Sequence, residues 1–93
     1  MLKELKTIMF LNFRLITTSD GVYRYAYSSE NNKQDGIVLY DTKAQKATVE
    51  KPCSWDDQWE GSRRDKCLRM VTRAVEGTLV KLKFPDRKII ATG

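Results

Sequence analysis

The 93-residue sequence contains no histidine, only two cysteines and only two prolines. Without histidine the chain cannot form a Ser-His-Asp triad, a histidine metal site or the usual switch near neutral pH. The apolar run near the N-terminus extends only from Ile8 to Leu11. A secretory signal needs ~7–15 apolar residues, and a membrane span needs ~20. We therefore expect a complete, cytoplasmic chain without a membrane segment.

The two cysteines, Cys53 and Cys67, lie fourteen positions apart and form no CxxC motif. A zinc site would need further cysteine or histidine ligands, which the sequence does not supply. In a reducing cytoplasm we expect free thiols rather than a disulfide, with Cys67 packed in the core. A nucleophilic cysteine usually needs a neighbouring base, which again favours a non-catalytic role.

The composition is that of one soluble domain covering residues 1–93. Hydrophobic residues make up 41% of the chain and charged residues 31%, which excludes collagen-like and strongly disordered chains. Lysine and arginine exceed the acidic residues and give a net charge of +5. The excess is concentrated in residues 51–93, with ten basic and six acidic residues, whereas residues 21–50 are neutral overall. A local positive charge is the first requirement for binding a polyanion.

Alternation of apolar and polar residues predicts four strands in the first half of the chain. Residues 7–17 and 22–28 alternate on either side of Asp20-Gly21, a pair typical of a tight hairpin turn. Two further strands are predicted at 37–41 and 47–51, after a polar loop at 29–36. Short connections between successive strands favour an antiparallel meander.

The second half predicts a helix followed by one or two strands. Ser54 can cap a helix N-terminus, whereas Gly61 favours a break, so that residues 62–76 form the main helix and Gly77 ends it. Alternation predicts a fifth strand over 79–84, and residues 88–92 form a short last strand or lie along an edge. The fold prediction is α+β in the order β-β-β-β-α-β, with the helix on one face of the sheet.

Basic and aromatic residues suggest one possible binding surface. If the helix ran back continuously to Ser54, two tryptophans would share its basic face. A separate turn ending at Gly61 would instead fold them onto the sheet. We favour this second arrangement because burial of indoles is stabilising. Lysines on an edge strand also deter aggregation, which explains part of the basic set without a ligand. The residues of this surface are Trp55, Trp59, Arg63, Lys66, Arg69, Arg73, Lys81 and Lys83.

A second possible surface is the ladder of Tyr23, Tyr25 and Tyr27. Aromatic residues on adjacent strands can stack on RNA bases, but the basic-aromatic signature of such domains is missing. We favour the interpretation in which these tyrosines cover the core and direct their hydroxyls to its rim.

The remaining patterns favour binding over catalysis. The glycines form no phosphate-cradling loop, and capping and the helix dipole account for Asp56, Asp57 and Glu60. We therefore predict a non-catalytic module without metal or cofactor. Apolar residues such as Phe10 and Ile16 on the second face of the first strand favour self-association as a homodimer, or a protein partner, through an apolar sheet face or through the region of Trp55 and Trp59. The alternative is a nucleic-acid-binding protein that uses the basic helix face and the C-terminal basic strand.

Overall fold

A computed structural model describes residues 9–30 and 33–92. In this part of the chain, five antiparallel strands form one sheet in the order β4-β3-β2-β1-β5. The strands are β1 (Met9–Ser19), β2 (Val22–Ser29), β3 (Gly36–Asp41), β4 (Lys46–Lys51) and β5 (Arg87–Thr92). The helices are α1 (Ser54–Asp57) and α2 (Gly61–Ala74), which continues into a π-helical turn, Val75–Leu79. The predicted α+β fold with an antiparallel meander is confirmed.

The first two strands form the predicted hairpin. Asp20 and Gly21 connect Ser19 to Val22, and both turn residues have positive φ, 52° and 77°. Positive φ at both central residues gives a turn whose twist matches that of the flanking strands. Thr7 and Ile8, the start of the predicted first strand, lie outside the described residues.

The core lies between one face of the sheet and the helical layer. The largest fully buried sheet residues are Leu11, Phe13, Tyr25, Tyr27 and Val38. They pack against buried helical residues spaced by four, namely Val71, Val75 and Leu79. Cys67 is buried as predicted, and both cysteines are free thiols.

The helical segment is longer than the sequence predicted, and the strand predicted over 79–84 is wrong. Val75–Leu79 forms a π-helical turn, and helical structure continues to Lys81. Gly77 therefore does not end the helix, although glycine in a helix interior costs ~1 kcal/mol. Full burial of Val75 and Leu79 outweighs that cost, since each apolar side chain buried contributes ~1.5–3 kcal/mol.

After Lys81 the helix ends in a Schellman motif that Lys83 and Phe84 form. The Phe84 N–H donates to the Leu79 carbonyl at 2.8 Å, and the Lys83 N–H donates to the Val80 carbonyl at 3.0 Å. These two bonds satisfy carbonyls that the end of a helix leaves without partners. Lys83 has a φ of 61°, a left-handed conformation that glycine adopts more easily than lysine.

Replacing Lys83 with glycine is expected to stabilise the fold by about 0.5–1 kcal/mol, because it removes the steric cost of a β-carbon at positive φ. The greater freedom of glycine in the unfolded chain offsets part of the gain. Urea unfolding measures the change, and Lys81→Gly is the control, because Lys81 is still helical and should lose stability. Equal losses in both variants would contradict the assignment of the motif.

The predicted break at Gly61 is confirmed, but the predicted cap is not used. Gly61 has a φ of 59° and begins α2 after the short helix α1. Cys53, not Ser54, is the N-cap residue of α1, and no side chain caps it. Ser54 donates its hydroxyl and its N–H to Asp35 instead. These two hydrogen bonds lower the pKa of the Asp35 carboxyl, and the bond from the hydroxyl has the larger effect.

Candidate interaction surfaces

The tyrosine ladder of β2 lies inside the protein. Tyr25 and Tyr27 are completely buried, and Tyr23 is half-buried with its ring stacked on Phe84 at a centroid distance of 3.7 Å. Two of the three rings therefore have no free face for a base or a partner. Of the possible aromatic binding surface, Tyr25 and Tyr27 therefore lie in the core beneath the helical layer, as the favoured interpretation of the sequence expects.

The hydroxyl of Tyr27 belongs to a buried polar cluster around Asp56. Tyr27 Oη donates to Asp56 Oδ2 at 2.9 Å, and Ser29 Oγ donates to Asp56 Oδ1 at 2.8 Å. Tyr27 Oη also accepts the Cys53 N–H at 3.1 Å, while the Cys53 thiol lies 3.7 Å from Ser29 Oγ. Burial, with the nearby Asp56 charge, raises the pKa of Tyr27 far above its ordinary value. The phenol therefore stays protonated and keeps donating to Asp56.

The carboxylate of Asp56 thus fixes α1 to the central strand β2. It is completely buried, and both of its oxygens accept hydrogen bonds from strand residues. Their position at the start of a helix predicts the same dipole interaction for Asp56 and Asp57, but their environments differ. Asp57 is exposed and forms an ion pair with Arg64 at 2.6 Å.

The two tryptophans occupy the connection between α1 and α2. Trp55 packs against the core, and Trp59 meets it edge to face at a centroid distance of 6.2 Å. The Arg63 guanidinium lies 4.1 Å from the centre of a Trp59 ring, a cation–π contact. Trp59 and Arg63 therefore lie together although a break separates α1 from α2. The Arg63 guanidinium and the Trp59 ring contact each other.

The predicted basic residues of α2 are all exposed. Arg63, Lys66, Arg69 and Arg73 lie along the helix, and none forms an ion pair within residues 9–30 and 33–92. Beyond these residues, Glu76 accepts the Ala47 N–H at 2.7 Å and ties the helical layer to β4.

Lys81 and Lys83 do not lie on a basic strand. Lys81 belongs to the end of the helix and Lys83 to the turn that follows, both exposed. The basic strand predicted from them is therefore wrong. The C-terminal strand is β5, whose basic residues are Arg87 and Lys88.

The other face of the sheet, which the helices do not cover, is here called the open face. On β1 and β5 it carries Phe10, Asn12 and Arg14 beside Ile89 and Arg87. Ile89 is 64% exposed and Phe10 is 43% exposed, and the two lie diagonally across the strand pair. The sequence predicts a partly apolar face through Phe10 and a short last strand or edge segment over 88–92, which matches β5, but it does not predict that this strand lies beside β1, so Ile89 and Arg87 were not assigned to the face. Alternation of Arg87, Ile89 and Ala91 was the available signal.

Strand β5 is also an edge of the sheet. It pairs with β1 on one side and with no other strand among the described residues. An edge strand presents unpaired backbone N–H and carbonyl groups, which makes it a ready template for another strand.

Membrane and metal features are not found in the part of the chain that the structure describes. No helix there combines the length and apolarity needed to cross a membrane. Histidine, cysteine and acidic residues form no group of three or more that could hold a metal ion within those ranges. Comparison of the chain with protein-family models, curated proteins and solved structures finds no match.

Proposed function

We propose that this protein is a non-catalytic interaction module that self-associates through strand β5. The observation that carries the proposal is the exposure of Ile89 on an edge strand, with Phe10 next to it on the open face. Pairing of two copies of β5 would satisfy the edge backbone groups and shield Ile89 from water. This is strand addition, in which main-chain hydrogen bonds provide affinity and alternate side chains provide specificity.

The charges of β5 favour a second copy in antiparallel orientation. Both basic residues, Arg87 and Lys88, lie in the first half of the strand, whereas Ala91 and Thr92 at its end are uncharged. With Ile89 opposite Ile89 of the second copy, Arg87 faces Ala91 and Lys88 faces Ile90. A parallel pair would instead align like charges, which destabilises neighbouring strands. Charges on the edge therefore select the closed two-fold arrangement over open-ended aggregation.

Sedimentation velocity over a concentration series up to the high micromolar range tests the pairing. We expect a monomer–dimer equilibrium, and Ile89→Lys should weaken it at least about tenfold, because two lysines then replace an apolar contact. The dimer should strengthen at higher salt, because screening reduces the repulsion between two chains of net charge +5.

Leu82→Lys is the matched control for Ile89→Lys. Leu82 is 47% exposed at the end of the helix and is not part of β5, so its replacement should leave the dimer unchanged. A wild-type protein that stays monomeric throughout the series would refute the proposal, as would equal weakening by the two substitutions.

A further inference from the structure

Two arginines stand directly opposite each other on the open face. Arg14 of β1 and Arg87 of β5 are cross-strand partners, so their side chains leave the same face of the sheet side by side. Both are exposed, and neither forms an ion pair among the residues that the structure describes. Like charges placed in this way destabilise a sheet. The arginine pair therefore does not stabilise the fold, whereas binding of an anionic ligand would explain why two arginines lie side by side.

The pair borders a cleft of about 320 Å³. The cleft is formed by β1, β5 and the segment before β3, and its lining includes no acidic residue; the residues are Asn12, Phe13, Arg14, Gln34, Arg87, Lys88 and Ile89. Gln34 Oε1 accepts a hydrogen bond from Arg14 Nε at 3.5 Å, which orients the guanidinium and leaves its two terminal nitrogens available. On the open face the cleft thus combines two guanidinium groups with the apolar surface of Ile89, whereas the side chain of Lys88 leaves the other face of β5, opposite Phe13.

Two acidic residues that lie close to these strands in the chain, Glu30 and Asp86, are not part of the lining of the cleft. Glu30 Oε2 accepts the Phe10 N–H at 2.9 Å. Asp86, next to Arg87 in sequence, acts on Tyr25 in the core, where burial first and then the Asp86 charge raise the tyrosine pKa to about 12. Among the described residues, the lining of the cleft itself therefore carries positive charge and contains no carboxylate.

We propose that this cleft binds a phosphate group, held by the guanidinium groups of Arg14 and Arg87. Guanidinium groups match phosphate oxygens in planar, two-pronged geometry, and such charge-assisted bonds are the strong ones. The volume exceeds what a lone phosphate needs, so the group that carries the phosphate lies against Ile89. A phosphate ester of a small metabolite and the backbone of a single-stranded nucleic acid share this chemistry.

NMR titration of the ¹⁵N-labelled protein, with pyrophosphate in one series and a short single-stranded oligothymidylate in another, tests the site. Saturable shifts are expected at the backbone amides of Gln34, Arg87 and Lys88. Tighter binding of the oligonucleotide with a steep salt dependence would identify a nucleic-acid backbone, whereas tighter binding of pyrophosphate would identify a small phosphate compound. Both outcomes support a phosphate site, whereas no saturable shift in either series overturns it.

Arg14→Gln is the decisive variant, because Arg14 is exposed and lies on β1 rather than on the edge that pairs in the proposed dimer. It should weaken phosphate binding at least about tenfold while the amide spectrum shows an intact fold. Arg69→Gln, an exposed arginine on α2, is the control and should bind as the wild type does. Equal losses in the two variants would show diffuse attraction to a basic protein and would overturn the site. Arg14→Gln changes the cleft but not the paired edge, so loss of phosphate binding with an unchanged sedimentation profile distinguishes failure of this proposal from failure of the dimer.

Discussion

Replacing Asp56 with alanine is expected to lower the free energy of unfolding by about 3 kcal/mol, because it leaves buried hydrogen-bond donors without an acceptor. The carboxylate is completely buried and accepts the hydroxyls of Tyr27 and Ser29, which are themselves buried on β2. Alanine would also leave a small cavity between α1 and the sheet. Urea unfolding followed by tryptophan fluorescence measures the loss, and Trp55 next to the site reports on it directly.

Asp57→Ala is the matched control, since it removes the same side chain from the same helical turn. The Asp57 carboxylate is 60% exposed and pairs with Arg64 at the surface, where such pairs contribute no more than about 1 kcal/mol. Asp56→Asn should fall between the two variants, because the amide oxygen can accept one hydroxyl but its NH₂ group cannot accept the other. Losses of similar size for Asp56→Ala and Asp57→Ala would contradict the role of the buried cluster.

The contrast between these two aspartates shows where sequence reasoning stops. Their position at the start of a helix predicts a favourable dipole interaction for both, and the exposed Asp57 agrees with that. Asp56 differs because its partners Tyr27 and Ser29 lie 29 and 27 positions away in sequence. Local pattern carries no information about such a pairing.

The strands and the error after the helix follow the same logic. Alternation and the Asp20-Gly21 turn are local signals, and they predicted β1 and β2. Apolar and polar residues also alternate over 79–84. Val75 and Leu79, however, are buried at helical spacing, and their packing against the sheet stabilises a helix. The π-helical turn departs from the 3.6-residue period of an α-helix, so the helical period does not continue unchanged after Ala74, whereas the alternation over 79–84 favours a strand. The open-face cleft was missed for the same reason, since it exists only once β5 lies beside β1.

The second large effect is expected at Gly36, where alanine should cost about 3 kcal/mol or prevent folding, because no space exists for a β-carbon. An added Cβ would lie 2.4 Å from Tyr27 Cε1 and 2.7 Å from the Cys53 backbone nitrogen. The φ of Gly36 is not positive, so the whole effect is steric. Thermal and urea unfolding of Gly36→Ala measure it.

Gly77→Ala is the control, because the space around Gly77 is open and its φ is that of an ordinary residue. In this helical position alanine should stabilise the protein by about 0.5–1 kcal/mol, so the same substitution has opposite signs at the two glycines. Destabilisation at both positions would show that the close approach of Gly36 to Tyr27 is not the cause of the loss in stability.

The two large effects should also be coupled through Tyr27. The ring cannot retreat from a new β-carbon at Gly36 while its hydroxyl is bound to Asp56 and to the Cys53 N–H. Removing Asp56 releases one of these bonds and lets the ring move. The double variant Gly36→Ala/Asp56→Ala should therefore lose about 1 kcal/mol less stability than the sum of the single losses, as expected for residues that share a partner. Simple additivity would mean that Tyr27 adjusts to the β-carbon without breaking its hydrogen bonds, and that Asp56 fixes α1 but not the ring.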